Sequence, residues 1–175
     1  MQITVRELAL DSDGFPARPT EFPAPEQVLV ARRGLGLMPV DGYVFGLFAV
    51  TRTASKFFDD DDLECEAWEV VHLPTGWIAM ATNATFFDPL EAAHYAVALP
   101  VMVDLPWGST DSKVFTESGA IRRAEIAMIA CACGAEFFDC DDGRLLERVE
   151  VIDRISGLID VAEQQERTDA VAAND

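Results

Sequence analysis

Positively charged side chains are scarce in this sequence. Thirteen Lys and Arg residues stand against 31 Asp and Glu residues, and the lysines are Lys56 and Lys113, so the formal net charge is −18. Such an excess of negative charge repels phosphate groups and anionic lipids. The composition therefore argues against direct binding to nucleic acid or to a membrane surface, and it favours a partner with a basic surface.

Long apolar runs and cofactor motifs are missing as well. The segment MQITVRELAL carries an arginine and a glutamate where a secretory signal needs an uninterrupted apolar run, and no later run reaches the roughly 18 residues of a spanning helix. The G-x-S-x-G, P-loop and G-x-G-x-x-G patterns are absent. We therefore expect a cytoplasmic protein without a cofactor. Its cysteines are then expected to be free thiols: Cys65, Cys131, Cys133 and Cys140.

Apolar residues are nonetheless plentiful, because 50% of the 175 residues are hydrophobic. A chain of this length and composition can fold around a core as one ordinary domain. Hairpin and helix patterns occur without a repeating strand-helix unit, which predicts an α+β fold: an antiparallel sheet built from hairpins with two or three helices packed on it. We assign residues 1–167 to this domain, with a Pro-rich loop at 11–25, and predict a frayed C-terminal tail at 168–175.

Several segments carry strand or hairpin patterns. Residues 2–10 alternate apolar and polar side chains, and residues 42–53 form a β-rich apolar run. Two apolar runs within 65–82 flank a Pro-Thr-Gly sequence that is typical of a hairpin loop. The Asp-Gly pair at 142–143 predicts another hairpin, although the residues after it are also compatible with a helix. In contrast, we predict a short helix at 26–34 that ends at its glycine.

Three further segments predict helices. Asp88 is a suitable N-cap before Pro89 at the first helical position, and this helix is expected to end or kink at Pro100. Residues 116–134 predict a second helix stopped by its final glycine, and residues 157–167 predict a short third one. The predicted core faces of the first two helices are Leu90, Ala93, Val97 and Val101, and Ile121, Ala124, Met128 and Ala132.

A Phe-Phe-Asp triplet occurs three times, at 57–59, 86–88 and 137–139. In each triplet we expect a phenylalanine to anchor an acidic turn to the core. The neighbouring carboxylates would then be held in place and would lose little ordering entropy when a partner binds.

Asp139, Asp141 and Glu150 occupy positions one, three and twelve of a calcium-binding loop pattern. Gly143, however, stands where that loop needs an oxygen ligand. A hairpin turn is therefore the favoured interpretation.

Thiol and zinc chemistry are also disfavoured. Cys131 and Cys133 would point about 200° apart on a helix, so they cannot both face one zinc ion together with Cys140 or a histidine. We expect buried thiols instead. A Cys-His nucleophile pair would need His72, which is predicted to be exposed near a hairpin turn, or His94, which is predicted to lie at the edge of the core. The sequence therefore predicts no catalytic and no metal-binding residue.

Carboxylates are concentrated in two stretches, 59–69 and 139–160. They supply the predicted partner-binding residues: Asp59, Asp60, Asp61, Asp62, Glu64, Glu66, Glu69, Asp139, Asp141 and Asp142. In charge and size the chain resembles the DNA-mimic antirestriction and anti-CRISPR proteins of phages and plasmids, and WEVVHLPTGWIAM at 68–80 resembles a hairpin of one antirestriction family. The resemblance implies an acidic, non-enzymatic inhibitor that binds the basic nucleic-acid-binding surface of another protein.

Other interpretations of the charge remain open. An immunity or antitoxin-like protein that neutralises a basic toxin would use the same acidic residues. A metal- or thiol-dependent enzyme would lose activity when Asp139, Asp141 or Cys131 is changed. Adaptation to high salt, or solubility alone, would also account for the composition, since net charge speaks to association rather than to fold. The sequence identifies neither the target nor the oligomeric state.

Overall fold

The fold places helices on one side of an antiparallel sheet, which confirms the predicted α+β class. The computed structural model describes residues 14–53, 66–81, 83–113 and 119–172, so the strand predicted at 2–10 lies outside the described residues. The described elements are β1 (Glu26–Arg32), β2 (Gly36–Phe45), β3 (Phe48–Arg52), β4 (Trp68–His72), β5 (Trp77–Ile78), β6 (Ala84–Thr85), α1 (Pro89–Met102), α2 (Gly119–Ala132), β7 (Glu136–Phe137) and α3 (Arg148–Ala172).

Strands β1 to β5 form one sheet in sequence order, and each strand is antiparallel to the next. Successive side chains point to opposite faces, so one face packs against α1 while the other faces the interior of the curled sheet. Val50 and Val70, which are register partners, belong to the large core shared with the helices. Ala49 and Val71, the next pair, belong to a smaller cluster with residues of β1. The central strands β3 and β4 are therefore buried on both faces, which explains why apolar residues occupy consecutive positions in them.

The turn between β4 and β5 closes the curled sheet onto β1. The Ala31 N–H donates a hydrogen bond of 2.6 Å to the Gly76 carbonyl oxygen. A Cβ at Gly76, where φ is +71°, would lie 2.7 Å from Leu37 Cδ2 and 3.1 Å from the Leu29 carbonyl oxygen. Only glycine accommodates both the left-handed backbone and this close approach. The contact also covers part of the β1 edge, which would otherwise be open to pairing with another chain.

The helix predicted at 26–34 is wrong, because this segment contains strand β1. Val28 and Val30 are buried while Leu29 is 53% exposed, so burial follows the two-residue period of a strand. The hairpin predicted within 65–82 is confirmed, with β5 reduced to Trp77–Ile78.

Helix α1 begins as predicted, since the Asp88 side chain accepts a hydrogen bond of 2.8 Å from the Leu90 N–H. Pro100 lies in its last turn, two residues before the helix ends at Met102. The predicted core faces of α1 and α2 are correct only in part, since Met128 packs against the core while Val101 and Ala132 are exposed. Of the eight residues named, Ala93 and Ala124 are buried. Alanines elsewhere on both helices make the close contacts, which the spacing of the larger apolar residues does not reveal.

The predicted hairpin around the Asp-Gly pair at 142–143 is reduced to an isolated bridge between Phe138 and Leu145, and a helix follows from Arg148 onward. Helix α3 then spans 25 residues and includes the segment predicted as a separate helix at 157–167. It continues to Ala172, within the segment predicted to be frayed. None of the described helices has the length and apolar character that crossing a membrane requires.

Candidate functional site: an acidic surface

Two of the three Phe-Phe-Asp triplets lie in the described residues, and both have a buried phenylalanine as predicted. Phe86 is fully buried, but the Asp88 that follows it caps α1 and pairs with Arg18, so its carboxylate is already engaged. Phe137 is 4% exposed and precedes the turn at 139–144. The triplet at 57–59 lies outside the described residues. Of the two described triplets, the one at Phe137 is therefore the one that supports an exposed acidic turn.

Hydrogen bonds hold the 139–144 turn in one conformation. The Gly143 N–H donates to the Asp139 carbonyl oxygen at 2.9 Å, and the Asp139 N–H donates to the Arg144 carbonyl oxygen at 2.7 Å. The Asp139 side chain accepts from the Asp141 N–H at 2.9 Å, and the Asp142 side chain accepts from the Arg144 N–H at 2.8 Å. Aspartates are favourable here because their short side chains bond to the backbone two residues on.

Two arginines attach this turn to the start of α3. Arg154 pairs with Asp139 at 2.9 Å and with Glu150 at 2.8 Å, and Arg144 pairs with Glu150 at 2.9 Å. The pKa of Asp139 is lowered mainly by the hydrogen bond from the Asp141 N–H and, to a smaller extent, by the hydrogen bond from Arg154. The hydrogen bond from Arg144 lowers the pKa of Glu150. Both carboxylates are therefore ionised, and arginines bind the oxygens that a calcium loop would offer to the ion.

Four carboxylates between residues 141 and 153 are exposed and form no ion pair with any described residue. We call them the acidic surface: Asp141, Asp142, Glu147 and Asp153. The first two were predicted as partner-binding residues. Glu147 and Asp153 were not in the predicted set of partner-binding residues. The spacing offered a signal for Asp153, because it follows Glu150 by three residues and side chains at that spacing lie side by side on a helix.

Glu69 lies elsewhere, in the interior of the curled sheet. It is 5% exposed and accepts hydrogen bonds from Arg32 at 3.1 Å and 2.5 Å and from the Thr51 hydroxyl at 3.2 Å. Its neighbours in β4 alternate between the two faces of the sheet, and its position directs it inward with Val71. Glu69 therefore holds β1, β3 and β4 together and offers no exposed carboxylate to a partner.

The other predicted acidic residues divide into two groups. Glu66 is exposed and pairs with Arg52, whose guanidinium lies 5.7 Å from the centre of the Trp68 ring. The residues Asp59–Asp62 and Glu64 lie outside the described residues.

The prediction that His72 is exposed is wrong. His72 is fully buried, its Nε2–H donates to the Trp107 carbonyl oxygen at 2.5 Å, and its Nδ1 accepts from the Thr75 hydroxyl at 2.9 Å. Burial lowers the pKa of this imidazole. His94 lies at the core edge as predicted, with Nε2 at 2.7 Å from the Pro16 carbonyl oxygen.

The described thiols agree with the prediction of buried, unpaired cysteines at 131 and 133. Cys131 and Cys133 are buried, and Cys140 is exposed; none of the three is in a disulfide. Burial, with a smaller contribution from Glu91, raises the pKa of Cys133 to about 12. A thiol with such a pKa is a poor nucleophile at neutral pH. Within the described ranges, no group of three or more His, Cys, Asp or Glu side chains is arranged to hold a metal ion.

No known protein family, curated protein or solved structure matches the chain. The acidic surface offers a set of exposed carboxylates on a backbone that is already ordered. Such a surface binds cations and basic side chains by charge complementarity.

Proposed function

We propose that the protein is a non-enzymatic inhibitor that binds the basic, nucleic-acid-binding surface of another protein in the cytoplasm, as a DNA mimic does. The observation that carries this proposal is the anchored turn at 139–144. Its backbone is fixed by four internal hydrogen bonds and by ion pairs to α3, while Asp141 and Asp142 point their charge to solvent without an ion pair to any described residue.

Rigidity and charge act together in this proposal. Single exposed ion pairs are worth at most about 1 kcal/mol, so an acidic surface gains affinity through several contacts and through steering of the encounter. Because the turn is already ordered, little conformational entropy is lost when a partner binds. Lys and Arg side chains that are spaced to meet the phosphates of a duplex would meet the carboxylates of the acidic surface instead.

The test begins with capture of host proteins by the tagged chain at about 50 mM and about 300 mM salt, followed by elution with duplex DNA or with RNA. The proposal predicts a nucleic-acid-handling partner that is retained at low salt and is displaced by nucleic acid. Binding to the purified partner is then compared for two variants that each remove four negative charges. The first neutralises the acidic surface with Asp141→Asn, Asp142→Asn, Glu147→Gln and Asp153→Asn. The matched control changes exposed acids elsewhere, with Glu21→Gln, Glu26→Gln, Asp41→Asn and Asp111→Asn.

We expect the first variant to bind several-fold more weakly and the control to bind like the original chain. Equal weakening by both variants would show that net charge, and not the acidic surface, determines binding. A third variant with Asp59–Asp62 changed to Asn measures the contribution of the stretch predicted from sequence. A single small basic partner that nucleic acid does not displace would contradict DNA mimicry and would indicate an immunity-like function.

A further inference from the structure

A polar cavity of about 240 Å³ lies between the first turn of α1, the end of α2 and the start of α3. Two carboxylates line it, Glu91 of α1 and Glu136 of β7, and so does Arg148, the first residue of α3. Neither carboxylate forms an ion pair with Arg148 or with any other described residue. Charges of both signs therefore share one cavity without neutralising each other in a direct pair.

Packing holds the Glu91 carboxylate at this cavity. Glu91 is the third residue of α1 after its cap, a position from which a glutamate commonly bonds back to the N–H of the cap residue. Its carboxylate lies against Gly134 instead, since a Cβ at Gly134 would be 2.5 Å from Glu91 Cδ and 2.7 Å and 2.8 Å from the two carboxylate oxygens. Burial, followed by the charge of Asp88, raises the pKa of Glu91. A positively charged group in the cavity would stabilise the ionised carboxylate.

Arg148 supplies the opposite charge. A hydrogen bond joins it to the Cys131 thiol, which stays neutral because burial raises its pKa. A guanidinium has several N–H donors, so this bond leaves others for a ligand. The first N–H groups of α3 have no acceptor within the helix, and the start of a helix carries a partial positive charge. The end of α2, which lines the same cavity at Cys131 and Gly134, carries a partial negative charge.

We propose that this cavity binds a small zwitterion, namely a free amino acid with one ammonium and one carboxylate group. The ammonium donates hydrogen bonds to Glu91 and Glu136, and the carboxylate accepts them from Arg148 and the start of α3. A simple cation would be repelled by Arg148 and a simple anion by the two glutamates, so a ligand with both charges is favoured. The volume lies below the roughly 300–1,000 Å³ of pockets for drug-sized ligands, which favours a small molecule.

This binding does not depend on the proposed inhibitory function, because no residue of the acidic surface lines the cavity. The test starts with thermal unfolding of the full chain at pH 7 in the presence of each common amino acid, β-alanine or γ-aminobutyrate at about 10 mM. We expect at least one of these compounds to raise the midpoint of unfolding and to bind in isothermal titration calorimetry with a Kd of about 1 mM or lower. If none of them shifts the midpoint or produces binding heat, the proposal is overturned.

Two matched ligands test the need for both charges. The amine that lacks the carboxylate of the bound amino acid, and the acid that lacks its ammonium, should each bind at least about tenfold more weakly. Equal binding of either compound would overturn the proposal of a zwitterion site.

Variants test the location of the site. Glu91→Gln and Arg148→Gln should each weaken binding by about tenfold or more, because each removes one of the two complementary charges. The controls Glu26→Gln and Arg33→Gln make the same changes at exposed residues outside the cavity and should bind like the original chain. The variant that neutralises the acidic surface should also bind the amino acid normally. Circular dichroism checks that all variants remain folded. Unchanged binding by Glu91→Gln and Arg148→Gln would place the ligand elsewhere and would overturn the proposal.

Discussion

The ion pair inside the curled sheet allows a quantitative test of the role of Glu69. Arg32 and Glu69 have side chains that are 17% and 7% exposed, and two hydrogen bonds join them. The Thr51 hydroxyl donates a third hydrogen bond to the same carboxylate. The pair joins β1 to β4, which are not neighbours in the strand order, so it contributes to the curl of the sheet.

We predict that Glu69→Gln lowers the free energy of unfolding by about 3 kcal/mol. Removing one member of a buried pair costs about 3–5 kcal/mol, because the remaining charge stays buried without its partner. The lower end applies here, since the partly exposed Arg32 regains some hydration. Against a total stability of about 5–15 kcal/mol, this loss is large.

Urea unfolding at pH 7, followed by tryptophan fluorescence, measures the change. Glu66→Gln is the control. Glu66 lies near the same strand, and its substitution removes the same charge from an exposed pair with Arg52, so the free energy of unfolding should fall by less than about 1 kcal/mol. The double variant Arg32→Met with Glu69→Leu should recover most of the loss, because no buried charge remains. If Glu69→Gln destabilises no more than Glu66→Gln, the ion pair is not structural and Glu69 returns to the set of candidate binding residues.

Three other predictions follow from the backbone, a buried imidazole and the thiols. Gly76→Ala should lower the free energy of unfolding by about 2–3 kcal/mol in thermal unfolding, and Gly143→Ala by about 1–2 kcal/mol. Both glycines have φ of +71°, but only at Gly76 would a Cβ lie against neighbouring atoms. Equal losses would contradict the close approach at Gly76. The lowered pKa of His72 means that the unfolded chain takes up a proton below the ordinary value of 6.5 while the folded chain does not. Stability should therefore fall by up to about 1.4 kcal/mol per pH unit as the pH drops from about 6.5, and His72→Gln should remove this contribution; an unchanged pH profile in that variant would contradict the assignment. Iodoacetamide should label Cys140 quickly in the native protein and Cys133 only after unfolding, as peptide mass spectrometry would show; rapid native labelling of Cys133 would refute its burial.

Local patterns determined much of what was predicted correctly. The cap and first position of α1, the glycine after α2 and the hairpin around the Pro-Thr-Gly turn depend on contacts within a few residues. Patterns of this range can be read directly from sequence. The buried phenylalanines of the described triplets follow equally from their apolar character.

Long-range packing decided the features that the sequence did not predict. A segment with buried valines at alternate positions became β1 because β2 pairs with it and the Gly76 turn covers it, whereas its local composition also suits a helix. Glu69 and Glu66 are close in sequence and alike in charge, yet the strand register sends one inside and leaves the other exposed.

The charge of −18 and the α+β class were therefore properties of the sequence alone. Tertiary structure decided which carboxylates are exposed and unpaired and which stabilise the fold. The physical reason is that burial and many ion pairs depend on residues distant in the chain. Arg32 reaches Glu69 only once the sheet has curled, and Arg154 reaches Asp139 only once α3 has docked.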